Sequence, residues 1–155
     1  MIDRNQFRGS ILLCDSAQVQ GGKLYLLGGG WSRIVRLQVP LNMAIAVRLL
    51  VPWHETNKKH DLKIALLDAD NKPVRPKLPE LPPDEAGFEI RGNFEAGRPP
   101  GISQGSFLDS PIALNFQIDL EPGDYVWELA VNGHPLDHYP FGVVSPEALG
   151  LQVQV

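Results

Sequence analysis

Apolar and polar residues alternate along most of this chain. Leu41, Met43, Ile45, Val47, Leu49 and Val51 take every second position, with Asn42 and Arg48 among the residues between them. Ile112, Leu114, Phe116, Ile118 and Leu120 alternate with Ala113, Asn115, Gln117 and Asp119. Tyr125, Trp127, Leu129 and Val131 alternate with Val126, Glu128 and Ala130, and Phe88, Ile90 and Phe94 with Glu89, Arg91, Asn93 and Glu95. A period of two sends one set to a buried face and the other to water, which is the signature of antiparallel strands. The pattern predicts an all-β fold.

The other segments extend it. Residues 10–19 read as one strand with Ile11, Leu13, Ala17 and Val19 on one face, followed by a Gln20-Gly21-Gly22-Lys23 hairpin turn into Leu24–Leu27. Gly28-Gly29-Gly30 interrupts that strand as a bulge or bend, and Trp31–Leu37 is expected to resume it. Residues 61–68 form a further strand closed by the turn 68–72. Asn132-Gly133, the strongest hairpin signal present, joins 124–131 to 134–144. Ser145-Pro146-Glu147 gives 145–151 a helical start.

Two connections lack strand character. Residues 73–86 carry Pro73, Pro76, Pro79, Pro82 and Pro83, and so cannot sit inside a ladder or a helix. Residues 96–106 are rich in glycine and proline. No repeat and no linker between two cores is visible, so 1–155 reads as one domain: an antiparallel, immunoglobulin-like β-sandwich of about 7–9 strands with Greek-key links and a proline-rich crossover.

Two local patterns sharpen this. Glu121-Pro122-Gly123-Asp124-Tyr125-Val126-Trp127 resembles the tyrosine corner of immunoglobulin-like domains, whose tyrosine hydroxyl bonds back to upstream backbone. Trp127 stands where such a domain would carry its second cysteine, so the disulfide is missing. The opening, Ile11-Leu12-Leu13-Cys14-Asp15-Ser16-Ala17 through Gly21-Gly22-Lys23-Leu24-Tyr25 to Gly29-Gly30-Trp31, resembles a family of stand-alone, uncharacterised bacterial proteins of unknown function. That resemblance implies a β-sandwich and brings no catalytic or binding residues with it.

Composition narrows the function classes. Fourteen basic against 18 acidic residues give a net charge of −4, which argues against a nucleic-acid partner. The single cysteine, Cys14, excludes an internal disulfide framework and a multi-cysteine zinc site. The apolar run Ile11–Cys14 is too short for a signal peptide core, and no stretch approaches the length of a membrane span. A cytoplasmic protein without membrane attachment is expected.

Candidate chemistry is sparse. His54, His60, His134 and His138 could supply imidazoles to a metal if their loops met, but their spacing fixes no common face, and no metal site or cofactor is predicted. Cys14 has no basic neighbour to lower its pKa and reads as a packing residue. Ser32, Ser103 and Ser106 do not sit on a nucleophile elbow. Asp68, Asp70 and Asn71 lack the distal glutamate of a calcium loop, and Gly28–Gly30 lacks the helix of a phosphate loop. Binding features are clearer. Trp53, with the His54–Asp61 loop and Lys58 and Lys59 nearby, could stack on a sugar or base, although a strand-end tryptophan more often caps a core. Leu78 and Leu81 are the apolar side chains that the proline-rich segment offers to a partner. The resulting expectation is a non-catalytic binding or assembly module acting through loops or sheet edges, with a protein partner or a second copy of itself. The alternatives are a small-ligand or carbohydrate-binding domain using Trp53, His54 and His60, and, weakest, a metal-dependent enzyme.

Overall fold

The computed structural model describes residues 1–76 and 87–150. They form β1 (Arg8–Cys14), β2 (Ser16–Gln20), β3 (Lys23–Leu27), β4 (Arg33–Val35), β5 (Leu41–Val51), β6 (His60–Asp68), β7 (Glu89–Phe94), β8 (Leu108–Asp109), β9 (Ile112–Ile118), β10 (Gly123–Val131) and β11 (His134–Val144). The fold is all-β. Helical geometry among the described residues is confined to two single 3-10 turns, Trp53–Glu55 and Glu147–Leu149.

β5 is the centre of the first sheet. β1 runs antiparallel along one of its edges, with Leu13 opposite Ile45, while β9 and the short β8 share the other. The second sheet has the order β4-β11-β10-β6-β7, antiparallel throughout except that β4 lies parallel to β11. β2 and β3 form a separate two-stranded hairpin.

The alternating side chains of both sheets meet in one core. Met43, Ile45 and Val47 of β5 face Ile64 and Leu66 of β6 and Trp127 and Leu129 of β10 in a single apolar cluster. Trp127 is fully buried, with Phe116 in edge contact at 5.7 Å and Phe141 stacked at 6.1 Å. Truncating a ring in such a setting costs about 3–5 kcal/mol. The expected corner is present too: the Tyr125 hydroxyl donates to the Glu121 carbonyl at 2.6 Å, and burial raises its pKa, with the Glu121 charge adding to the effect.

Three expectations need correction. Residues 10–19 are two strands, because the chain breaks at Asp15, whose N–H donates to the carbonyls of Leu27 and Gly28 at 3.0 and 3.1 Å. Trp31–Leu37 does not resume the hairpin strand; β4 lies in the other sheet against β11. The three glycines make that crossing. Gly28 sits at φ +61 with the Asp15 carboxylate where a Cβ would be, and a Cβ on Gly29 would meet Leu26 at 2.7 Å. Gly30, at φ +88, donates its N–H to the Leu13 carbonyl at 2.9 Å. A side chain would collide with a neighbour at Gly28 and Gly29, while at Gly30 it is the positive φ that favours glycine. Finally, the helical start at Ser145 yields only one 3-10 turn, in which Ser145 Oγ accepts from the Ala148 N–H at 3.3 Å.

Candidate functional site

Trp53 opens the turn that follows β5, and its indole packs against the edge of the core. Arg98, from the 96–106 connection, lies over the ring with its guanidinium carbon 4.4 Å from the centroid. It also donates to the Trp53 carbonyl at 2.9 Å and to the Thr56 hydroxyl. A cation over an indole at an exposed site contributes about 0.5–1 kcal/mol. The face that would stack on a sugar or base therefore already holds a cation.

His60 is not a solvated loop residue. It begins β6, is only 5% exposed, and is flanked by Phe7 and Phe94 with ring centroids 4.8 and 5.5 Å away. Its Nε2 lies 2.7 Å from the Glu55 carbonyl, which can only accept, so Nε2 carries the hydrogen. Nδ1 then accepts from the Asn132 amide at 3.1 Å, while Asn132 Oδ1 accepts from the Asp61 N–H at 2.9 Å. Both ring nitrogens are engaged, and the ring staples the start of β6 to the Asn132-Gly133 turn. A cleft of about 500 Å³ between Phe7, Glu55, Asn132 and Leu136 lies alongside, yet none of Trp53, His54 and His60 lines it.

The remaining sequence candidates are scattered. His54 is exposed, 3.5 Å from a Glu55 carboxylate oxygen, and His138 pairs with Glu128 at 2.8 Å on the outside of the second sheet. His134 is exposed beside the last hairpin turn. Among the described residues no group of three or more His, Cys, Asp or Glu side chains could hold a metal ion. Leu78 and Leu81 lie outside the described residues.

The most distinctive surface is one that the sequence reading passed over, the β2–β3 hairpin. Gly21 and Gly22, at φ +56 and +73, form its turn, since a two-residue turn of this hand needs positive φ at both positions. The hairpin lies on the outer face of the first sheet. There Cys14, Ala17, Ala44 and Ala46 form a second buried cluster, joined by Leu24 and Ala113. Small side chains let the hairpin approach closely. Burial, and secondarily the charge of Asp15, raise the Cys14 thiol pKa from its ordinary 9.0, in keeping with a packing role. Asn115 of β9 fastens the hairpin by accepting from the Ala17 N–H at 3.1 Å and donating to the Ala17 carbonyl at 2.7 Å.

That fastening reveals which way the hairpin edges point. Ala17 is opposite Leu26, and both its backbone groups face away from β3 towards Asn115. By the alternation of antiparallel pairs, the backbone groups of Leu26 and Leu24 face away from β2. No strand partner meets them among the described residues. Tyr25 and Leu27 point outward and are 50% and 73% exposed; Val19 and Leu26, on the sheet-facing side, are still 39% and 38% exposed. Lys23 is the only charged residue from Ser16 to Leu27. The signal that could have revealed this site was Ala44 and Ala46 at positions of β5 assigned to water.

Comparison with known proteins adds a family but no activity. The model of a family of unknown function (DUF6941) matches residues 9–144, in agreement with the resemblance read from Ile11 to Trp31. No curated protein matches. Among solved structures, Pseudomonas fluorescens alkylpurine DNA glycosylase AlkC bound to DNA containing an abasic site analog is similar at 14% identity and a TM-score of 0.45. The likeness covers 73% of this chain and 28% of that one, and at this level it carries no argument.

Proposed function

The chain belongs to that family, and from this premise we propose that it is a non-catalytic binding or assembly module: an immunoglobulin-like sandwich of the cytoplasm whose partner-facing element is the β2–β3 hairpin. One observation carries the reading. β3 holds Tyr25 and Leu27 out to solvent along an edge with no strand partner among the described residues. Natural sheets guard such edges with charge, proline, bulges or a covering element, and a bare apolar edge is the feature used when a protein partner adds a strand.

Other features support the description. The parallel β4–β11 pair, the order of the second sheet and the Tyr125–Glu121 bond are consistent with an immunoglobulin-like sandwich. The raised Cys14 pKa and the doubly engaged His60 ring leave these two residues without the free lone pair or thiolate that nucleophilic or metal chemistry needs. A lone buried thiol suits a reducing compartment.

The test is site-specific photocrosslinking in the cells that make the protein. A photoreactive residue at Tyr25 should give a discrete protein adduct, and the same residue at Arg91 on β7 should give none. Equal labelling at both positions, or none at Tyr25, would overturn the proposal.

A further inference from the structure

We infer that the partner of β3 is β3 of a second copy of this chain, paired antiparallel about a two-fold axis through Tyr25. The inference rests on the reading of the hairpin as the partner-facing element and names its occupant. The observation behind it is self-complementarity. The outward-facing backbone groups belong to Leu24 and Leu26, one residue on either side of Tyr25. A two-fold axis at Tyr25 places Leu24 opposite Leu26 of the second copy, and Leu26 opposite its Leu24. Both become hydrogen-bonded pairs, so every backbone group that the edge leaves open finds a partner. An axis at Leu24 or at Leu26 would pair that residue with its own copy but set the other opposite Gly22 or Gly28, beyond the ends of β3. An axis between two residues would set an outward group against one that already faces β2.

The side chains fit the same register. Tyr25 meets Tyr25 of the second copy as a non-hydrogen-bonded pair, the closer of the two antiparallel spacings and a favourable one for aromatic rings. Lys23 falls opposite Leu27, so the only charge on the strand does not confront its own copy, and its methylene stem lies over an apolar side chain that is otherwise 73% exposed. The Leu24 side chains stay on their own sheets, where they already pack. The resulting four-stranded β2-β3-β3-β2 layer ends on both sides at strands held by Asn115. The pairing is isologous and closes, giving a dimer rather than a fibre.

Cysteine crosslinking and mass measurement on the full chain test this. Across a non-hydrogen-bonded pair the Cα atoms are about 4.5 Å apart, within disulfide reach, and Cys14 is buried away from the reagent. Tyr25→Cys should therefore oxidise to a covalent dimer. Leu27→Cys should not, since its two copies lie roughly 13 Å apart along the strands. The unmodified chain should sediment as a dimer. Tyr25→Lys, which sets two ammonium groups across the axis and removes the ring pair, should raise the dissociation constant roughly tenfold or more with an unchanged circular dichroism spectrum; Arg91→Glu should leave it alone. A chain that sediments as a monomer at all concentrations, or a dimer that crosslinks at Leu27→Cys and not at Tyr25→Cys, overturns the inference. If the photoreactive residue at Tyr25 captures a different protein while the chain stays monomeric, self-pairing fails and the docking role of the hairpin stands. If Tyr25 captures nothing, both fail.

Discussion

Two strand edges of this molecule face solvent with opposite chemistry. β7 closes the second sheet and presents Glu89, Arg91, Gly92 and Asn93, with the Arg91 guanidinium 2.7 Å from the Glu89 carboxylate. An incoming strand would have to break that exposed ion pair or desolvate its charges. β3 presents Leu24, Tyr25, Leu26 and Leu27, with one lysine at its far end. Both are edges in the same geometric sense, yet one carries charges that discourage pairing along its middle and the other only a single lysine at one end. The readiness of an edge to pair is set by its side chains, and of these two only β3 offers the mostly apolar strand that the proposed pairing uses.

The comparison can be broken from beneath β3. Ala44 is fully buried under the hairpin, opposite Cys14 on one neighbouring strand and Asn115 on the other. Ala44→Leu should overfill that floor and cost about 1–3 kcal/mol, read as a fall in the denaturant midpoint. Hydrogen exchange should speed up in β2 and β3 while β7 keeps its protection. Equal loosening of both edges would mean that the hairpin is part of the main cooperative unit.

A milder change tests the fastening. Asn115→Ala removes both bonds to Ala17 and leaves two part-buried backbone groups to find water, an effect of about 1–2 kcal/mol. Arg91→Ala on β7, which loses only an exposed pair, should stay within about 0.5 kcal/mol. If the two variants melt together, Asn115 does not hold the hairpin.

The smallest effect is one of pH. Burial holds the Cys14 thiol pKa above its ordinary 9.0, so the folded chain keeps this proton more tightly than the unfolded chain does. Its contribution to stability is complete below the ordinary value and is lost as pH rises through the raised one. Alkaline titration should therefore loosen β2 and β3 before β7, and Cys14→Ala should flatten the pH dependence of the melting temperature. An identical profile in the variant would show that the thiol is not charged beneath the hairpin.

The local physics of this contrast was legible in the sequence, and the long-range part was not. The alternation of Leu41 to Val51 marks β5 and its inner face, and Gly21-Gly22 marks the turn, because both depend on near neighbours. The second buried face of β5 escaped because alanine is mute in an alternation count. It reads as tolerable in water, and only the arrival of Ala17 and Leu24 from elsewhere buries Ala44 and Ala46. β4 was misplaced for a similar reason: its partner, β11, lies about a hundred residues downstream. His60 looked like a loop ligand until Asn132, 72 residues away, closed on its Nδ1. Trp53 showed its stacking face but not the arginine that covers it.

The bond from the Gly30 N–H to the Leu13 carbonyl has a consequence for how this surface can change. It joins the chain just before the hairpin to the chain just after it, so the path into and out of residues 16–27 is closed by the sandwich itself. The hairpin is a cassette plugged into a finished socket. Its length, tip and outward side chains can be rewritten as long as the socket residues Asp15 and Gly28–Gly30 and the alanine floor are kept. On the docking role proposed for it, relatives would exchange partners by changing the tip and outward side chains of these twelve residues, with Ala17 and Leu24 kept on the floor. A different strand edge could be grafted there without reopening the core.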